Sequence, residues 1–175
     1  PIEGDQMALV QQTLRRLLDT HSPYPALVVD STYEILMTNG ASRRLVAWAA
    51  GRDALEKYSN IYRLTFAPDG LQGAFRDWPV VAGFMLTRLL GEAMTTQNET
   101  LFALHAELTA AGSGDLAGDE PIDQSLPIMS FTLERNGLAA SFFSTITTFG
   151  TPLDVTAQEL RIESLFPVDA VTRDW

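Results

Sequence analysis

Ile128-Met129-Ser130-Phe131-Thr132-Leu133-Glu134, then Asn136-Gly137, then Leu138-Ala139-Ala140-Ser141-Phe142-Phe143-Ser144-Thr145-Ile146-Thr147-Thr148-Phe149 is the stretch that decides the fold class. In the first run Ile128, Ser130 and Thr132 alternate with Met129, Phe131 and Leu133. That period of two puts successive side chains on opposite faces of a strand. Asn-Gly between two such runs is a strong hairpin signal, because both residues tolerate positive φ. The run from Leu138 to Phe149 is β-branched and aromatic, so it reads as a long strand. Leu160-Arg161-Ile162-Glu163-Ser164-Leu165-Phe166-Pro167 makes a further strand. The last third is thus a three-stranded unit that cannot bury its own apolar face.

The cover for that face comes from upstream. Ala26-Leu27-Val28-Val29 and Tyr33 to Thr38 read as two strands joined by a turn at Asp30-Ser31-Thr32. Asn39-Gly40 ends the pair, and Ala41 to Ala50 follows as a helix with Leu45, Val46 and Trp48. Short helical turns are expected from Asp53 to Tyr58, ahead of Asn60 to Phe66. Asp77-Trp78-Pro79 opens a long helix, with Asp as N-cap and Pro where its missing N–H costs nothing. From Val80 to Leu90 that helix is apolar on nearly every side, which marks it as central. Leu101, Leu104 and Leu108 share one face of another helix. Gly112 to Pro121 holds three glycines and three acids and reads as a solvated loop.

One element precedes all this. Met7, Val10, Leu14, Leu17 and His21 fall at alternating spacings of three and four, a helix with a short coiled-coil-like seam. It is either a lid packed on the domain or a linker that pairs two subunits. Ser22-Pro23-Tyr24-Pro25 stops it. The expected architecture is α+β: a five-stranded, mainly antiparallel sheet with helices inserted between strands two and three, preceded by an N-terminal helix. Residues 1–22 form the linker helix and 23–175 the domain proper. The start at Pro1 suggests a piece of a longer protein.

Composition limits what such a domain does. Across 175 residues the net charge is −10, from 22 acidic and 12 basic side chains. That field opposes both DNA phosphates and anionic membrane surfaces. The absence of cysteine removes disulfides, thiolate metal sites and cysteine nucleophiles. The polar N-terminus has no basic segment leading into an apolar one, and no run of 18 apolar residues occurs, so the expected location is cytoplasmic.

The strand and helix order is that of PAS domains. The residues Tyr24-Pro25-Ala26-Leu27-Val28-Val29-Asp30, then Ile35 through Asn39, then Asn60, Arg63 and Phe66, then Asp77-Trp78 heading a helix that contains Leu89, go further. Together they resemble the ligand-binding domain of MmyB-like transcription regulators, over roughly Tyr24 to Pro167. After the second long helix the sequence departs from the family's Ser…Phe…Trp run. The resemblance implies a PAS-like sensor beside a separate helix-turn-helix domain that makes the DNA contacts. It also implies that some members hold a fatty acid or similar lipid in the interior.

A pocket of this kind lies between sheet and helices, and its expected lining is Met37, Trp48, Leu64, Phe66, Phe75, Trp78, Met85, Leu89, Phe131 and Phe143. Each of these is equally at home in a closed core. Methionines among aromatics suit an irregular cavity. An acyl carboxylate would call for an arginine fork, for which Arg63 and Arg88 are the candidates, with Asn39 or Asn60 as neutral donors unless these are cap residues. No cofactor beyond a bound fatty acid is implied. Two histidines, no H-E-x-x-H, no G-x-S-x-G and no P-loop argue against an enzyme. His105 reads as a core-edge residue, with axial haem ligation as its other reading. The rival to a sensor is a ligand-free dimerisation or interaction module using the N-terminal helix to form a homodimer.

Overall fold

The computed structural model describes residues 4–111, 130–148 and 160–174, with side chains from Ala8 onward. The expected strand start at Ile128-Met129, the acidic loop from Gly112 and the end of the long strand at Phe149 lie outside the described residues. Helix α1 (Gly4–Thr20) leads into strands β1 (Ala26–Val29) and β2 (Ile35–Thr38). Helices α2 (Gly40–Ala50), α3 (Ala54–Lys57), α4 (Ile61–Phe66), α5 (Trp78–Thr96) and α6 (Glu99–Ala110) follow. Strands β3 (Ser130–Arg135), β4 (Leu138–Thr148) and β5 (Arg161–Pro167) return to the sheet, and α7 (Ala170–Arg173) closes the chain. This is the α+β order expected, with all the helices from α2 to α6 between strands two and three.

The five strands are arranged β2-β1-β5-β4-β3, each neighbour antiparallel. The last strand therefore inserts at the centre and joins the N-terminal pair to the C-terminal hairpin. Asn136 and Gly137 both take positive φ, 53° and 77°, so a two-residue turn closes directly on the Arg135–Leu138 pair. That turn fixes the register, setting Phe131 opposite Phe142 and Leu133 opposite Ala140.

One sheet face meets the helices. Leu133, Ala140 and Phe142 pack there against Leu45, Val46, Ala49 and Leu64. The other face meets α1, where Leu14 and Leu18 bury against Val28 and Ile162. His21 joins that contact, its ring edge-on to Phe166 with Nε2 at 2.8 Å from the Leu165 carbonyl. Leu9 and Leu17 of the same helix stay exposed. Most of the apolar spacing in α1 is thus used on the chain's own sheet.

Two local expectations are corrected. Tyr33 does not begin β2: the Asp30 carboxylate accepts from the Thr32 and Glu34 amides, and this turn puts Tyr33 at φ 68°, which no strand residue adopts. Asp77 stands at the start of α5, but its side chain makes no capping bond. Its carbonyl takes the Val80 and Val81 amides instead. Among the described helices the caps made by side chains are Asn39 on α2, Asn60 on α4, Asn98 on α6 and Asp169 on α7.

Candidate ligand-binding site

Helix α5 presents two stripes. Ala82, Leu89 and Ala93 are buried, Leu89 and Ala93 in a cluster with Leu101, Leu104 and Leu108 of α6. Val81, Phe84, Met85 and Arg88, spaced i, i+3, i+4 and i+7, line a cavity between the helices and the sheet. Its volume is about 160 Å³. Strands supply Leu27, Phe131, Leu133, Ser144, Ile146, Glu163 and Leu165, while α2 and α4 contribute Leu45, Val46, Tyr62 and Thr65.

Of the expected lining, Phe75, Met85, Arg88 and Phe131 stand on this wall. The others do not, for different reasons. Leu64 and Leu89 are fully buried in clusters behind it. Trp48 packs on the outer side of the α2 cluster. Phe66 and Trp78 stand edge to face, 4.9 Å between centroids, next to the wall rather than on it. Met37 and Phe143 lie across the sheet. Met37 pairs with Val28 and packs beside α1, and Phe143 stacks on Phe166. Strand alternation forces both placements, since each is one residue out of phase with the cavity face.

Arg63 is engaged elsewhere. It forms a two-bond pair with Glu107 and lies 3.7 Å from Glu34, a surface cluster tying α4 to α6. Its hydrogen bonds to Glu107 hold the Arg63 guanidinium above its usual range and the Glu107 carboxyl below its own. Asn39 and Asn60 are buried caps whose amides are also spent on backbone and on Glu34. His105, partly buried on α6, does not line the cavity.

The polar part of the wall centres on residues the sequence reading passed over. Tyr33 and Tyr62 meet edge to face with centroids 4.6 Å apart. Tyr33 donates to Glu92, one turn beyond Arg88 on α5, and Arg161 pairs with the same carboxylate while lying over the Tyr33 ring. Burial, then the bond to Glu92, pushes the Tyr33 phenol up to about 12. Burial, then the neighbouring Tyr33, raises Tyr62 well above its ordinary value. Because Arg161 and Tyr33 occupy Glu92, Arg88 has no ion-pair or hydrogen-bond partner among the described residues. Thr65, only 3% exposed, also stands on the cavity wall. The site is a largely apolar, ring-lined space whose described wall carries the exposed cation Arg88 and the carboxylate Glu163.

A family profile, the MmyB-like transcription regulator ligand binding domain, matches residues 10–175. The chain belongs to that family. No curated protein matches it. Among solved structures, the PAS domain of an HTR-like protein from Haloarcula marismortui is similar at 12% identity and a TM-score of 0.37, covering 95% of this chain and 100% of that one. In this MmyB-like domain the matched span begins at Val10, inside α1, and so takes in the Leu14 and Leu18 contacts with the sheet. Among the described residues no helix of the domain is long and apolar enough to cross a membrane, and no His, Asp and Glu cluster is arranged to hold a metal ion.

Proposed function

We propose that this MmyB-like domain is a cytoplasmic sensor, one that binds a small apolar acid in its interior cavity and reports occupancy to a DNA-binding domain carried elsewhere. The observation that carries the reading is Arg88, a guanidinium on the wall of a largely apolar cavity that has no ion-pair or hydrogen-bond partner among the described residues. A carboxylate is the group that fork fits best. Fatty acids and similar lipids are the first class to test, since an acyl chain gains about 0.8 kcal/mol for each methylene buried. The net charge of −10 supports DNA contact through another part of the protein. Signalling requires that the ligand prefer one arrangement of the domain over another, and α1 is the element placed to report it, since it packs on the reverse of the same sheet.

Organic extraction of the purified chain, followed by mass spectrometry and thermal melts with carboxylic acids, tests the proposal. A co-purifying acid, or stabilisation that disappears in Arg88→Ala, is the expected result. No bound acid and no shift with any acid would sink it. The second reading, a homodimerisation or interaction module, draws on Leu9 and Leu17, which α1 leaves exposed at 63% and 44%. A monomer at micromolar concentration by light scattering would remove it.

A further inference from the structure

We propose that the ligand is compact: an aryl monocarboxylic acid of about ten heavy atoms, its ring in the cavity and its carboxylate on Arg88. This rests on the sensor reading above and adds size, shape and charge to it.

Volume sets the size. The cavity measures about 160 Å³, close to the roughly 150 Å³ engineered cavity that takes up benzene. A six-membered ring with a short side arm fills such a space. A long acyl chain exceeds that volume, so part of it would stay outside the enclosed space. Each methylene withdrawn from water tightens binding roughly fourfold, and one left outside adds nothing. Affinity should therefore stop rising once the space is full.

The wall sets the shape. Tyr33 and Tyr62 form one edge-to-face pair on it, and Phe75 and Phe131 form another with centroids 5.6 Å apart. Rings favour such neighbours at roughly 4.5–7 Å, so a flat ring meeting either pair extends an arrangement already present. A flexible chain lying there gives up rotamer freedom that a ring never had.

The charges set the head group. Arg88 lines the space with no ion-pair or hydrogen-bond partner among the described residues, and Glu92 is held by Tyr33 and Arg161 and so does not compete for it. Glu163 also lines the cavity, with Ser144 Oγ donating to its Oε1 at 2.7 Å. Arg88 can pair with one ligand carboxylate, and the Glu163 carboxylate on the same wall repels further negative charge, which disfavours a dianion.

Calorimetric titration of the whole chain tests this, using straight-chain acids from butanoate to tetradecanoate alongside benzoate, phenylacetate and 3-phenylpropanoate. Affinity should climb roughly fourfold per methylene to about octanoate and then stay level, with 3-phenylpropanoate at least matching octanoate. Affinity that keeps rising to tetradecanoate overturns the compact ligand and leaves the sensor reading standing. No binding by any acid overturns both. Val46→Phe, which puts a ring into the cavity wall, should abolish 3-phenylpropanoate binding while the chain still melts cooperatively. Should that variant fail to fold, Phe131→Ala is the complementary test. It opens the space and should move the plateau to longer acids, and an unmoved plateau refutes the claim that the cavity sets the limit.

Discussion

The Arg63 guanidinium grips the Glu107 carboxylate with two parallel bonds, Nε to Oε1 at 2.9 Å and Nη2 to Oε2 at 2.8 Å, and this separates the two candidate arginines. Arg63 joins helix α4 to helix α6, whereas Arg88 lines the cavity with no partner among the described residues. Arg63→Ala should cost no more than about 1 kcal/mol in urea denaturation, as an exposed pair does, and leave acid binding unchanged. Arg88→Ala should do the reverse. Stability should stay within about 0.5 kcal/mol, while a bound carboxylate loses charge-assisted bonds and about tenfold to a hundredfold in affinity. Equal loss of binding in both variants would contradict this division.

Tyr33 makes stability sensitive to alkali. Its folded pKa stands at about 12, raised from 10.0 by burial and by Glu92. Below pH 10 the phenol is protonated in both states and the stabilisation is fully present. Between pH 10 and 12 the unfolded chain loses the proton first, so stability falls as the pH rises. The loss is on the order of 2–3 kcal/mol across that window. Urea midpoints measured at pH 8, 10 and 11.5 should decline, and the decline should be shallower in Tyr33→Phe. Identical slopes in the two proteins would exclude Tyr33 as the cause.

Asn39 joins three elements through one side chain. Its Oδ1 accepts from Ala26 N at 3.2 Å and Ser42 N at 2.8 Å, and its Nδ2 donates to Leu18 O at 3.2 Å and Tyr24 O at 2.8 Å. Asn39→Ala should cost about 2–4 kcal/mol, combining a lost N-cap with buried groups left unpaired. At an ordinary cap Asp replaces Asn freely. Here Asn39→Asp would place a carboxylate against two carbonyls, and so should be no more stable than Asn39→Ala. Near-wild-type stability of Asn39→Asp would show that the donor bonds to Leu18 and Tyr24 contribute little.

The fold was legible because period and turn chemistry are local. The Asn136-Gly137 turn, the alternation through Phe131 and Leu133 and the apolar run of α5 each point to one element type without knowledge of the rest. The site was legible only in part, because ring size says that a residue is buried and not what it faces. Leu64 and Phe66 are as apolar as Phe75 and Phe131, yet only the latter two stand on the wall. The spacing Val81, Phe84, Met85, Arg88 did carry the cavity stripe, had it been separated from the Leu89 stripe that packs on α6. Tyr33 and Tyr62 were passed over because their placement depends on long-range contacts, the Glu92–Arg161 pair above all. The Asp30-Ser31-Thr32 turn was the signal available for Tyr33, since an Asp that caps its own turn ends a strand pairing.

Phe142 and Phe143 are adjacent in sequence and opposite in role, and the turn between β3 and β4 contains the reason. A two-residue turn pairs Arg135 with Leu138, so partners move apart in equal steps and Phe131 must meet Phe142. Phe131 faces the helices, so Phe142 does also, at 1% exposure among Leu133 and Ala140. Phe143 then points to the α1 side, stacked on Phe166 at 5.2 Å. Phe142→Ala should cost about 3–5 kcal/mol, as a ring lost from a closed core does. Phe143→Ala should cost less, because its ring is only half-buried, and its effect should concentrate on α1. Hydrogen exchange should show faster opening of Leu14 and Leu18 amides in Phe143→Ala with β3 protection unchanged, and uniform loss of protection in Phe142→Ala. The reverse pattern would mean that the β3–β4 register is displaced by one residue, which would put Phe143 into the helix-facing core.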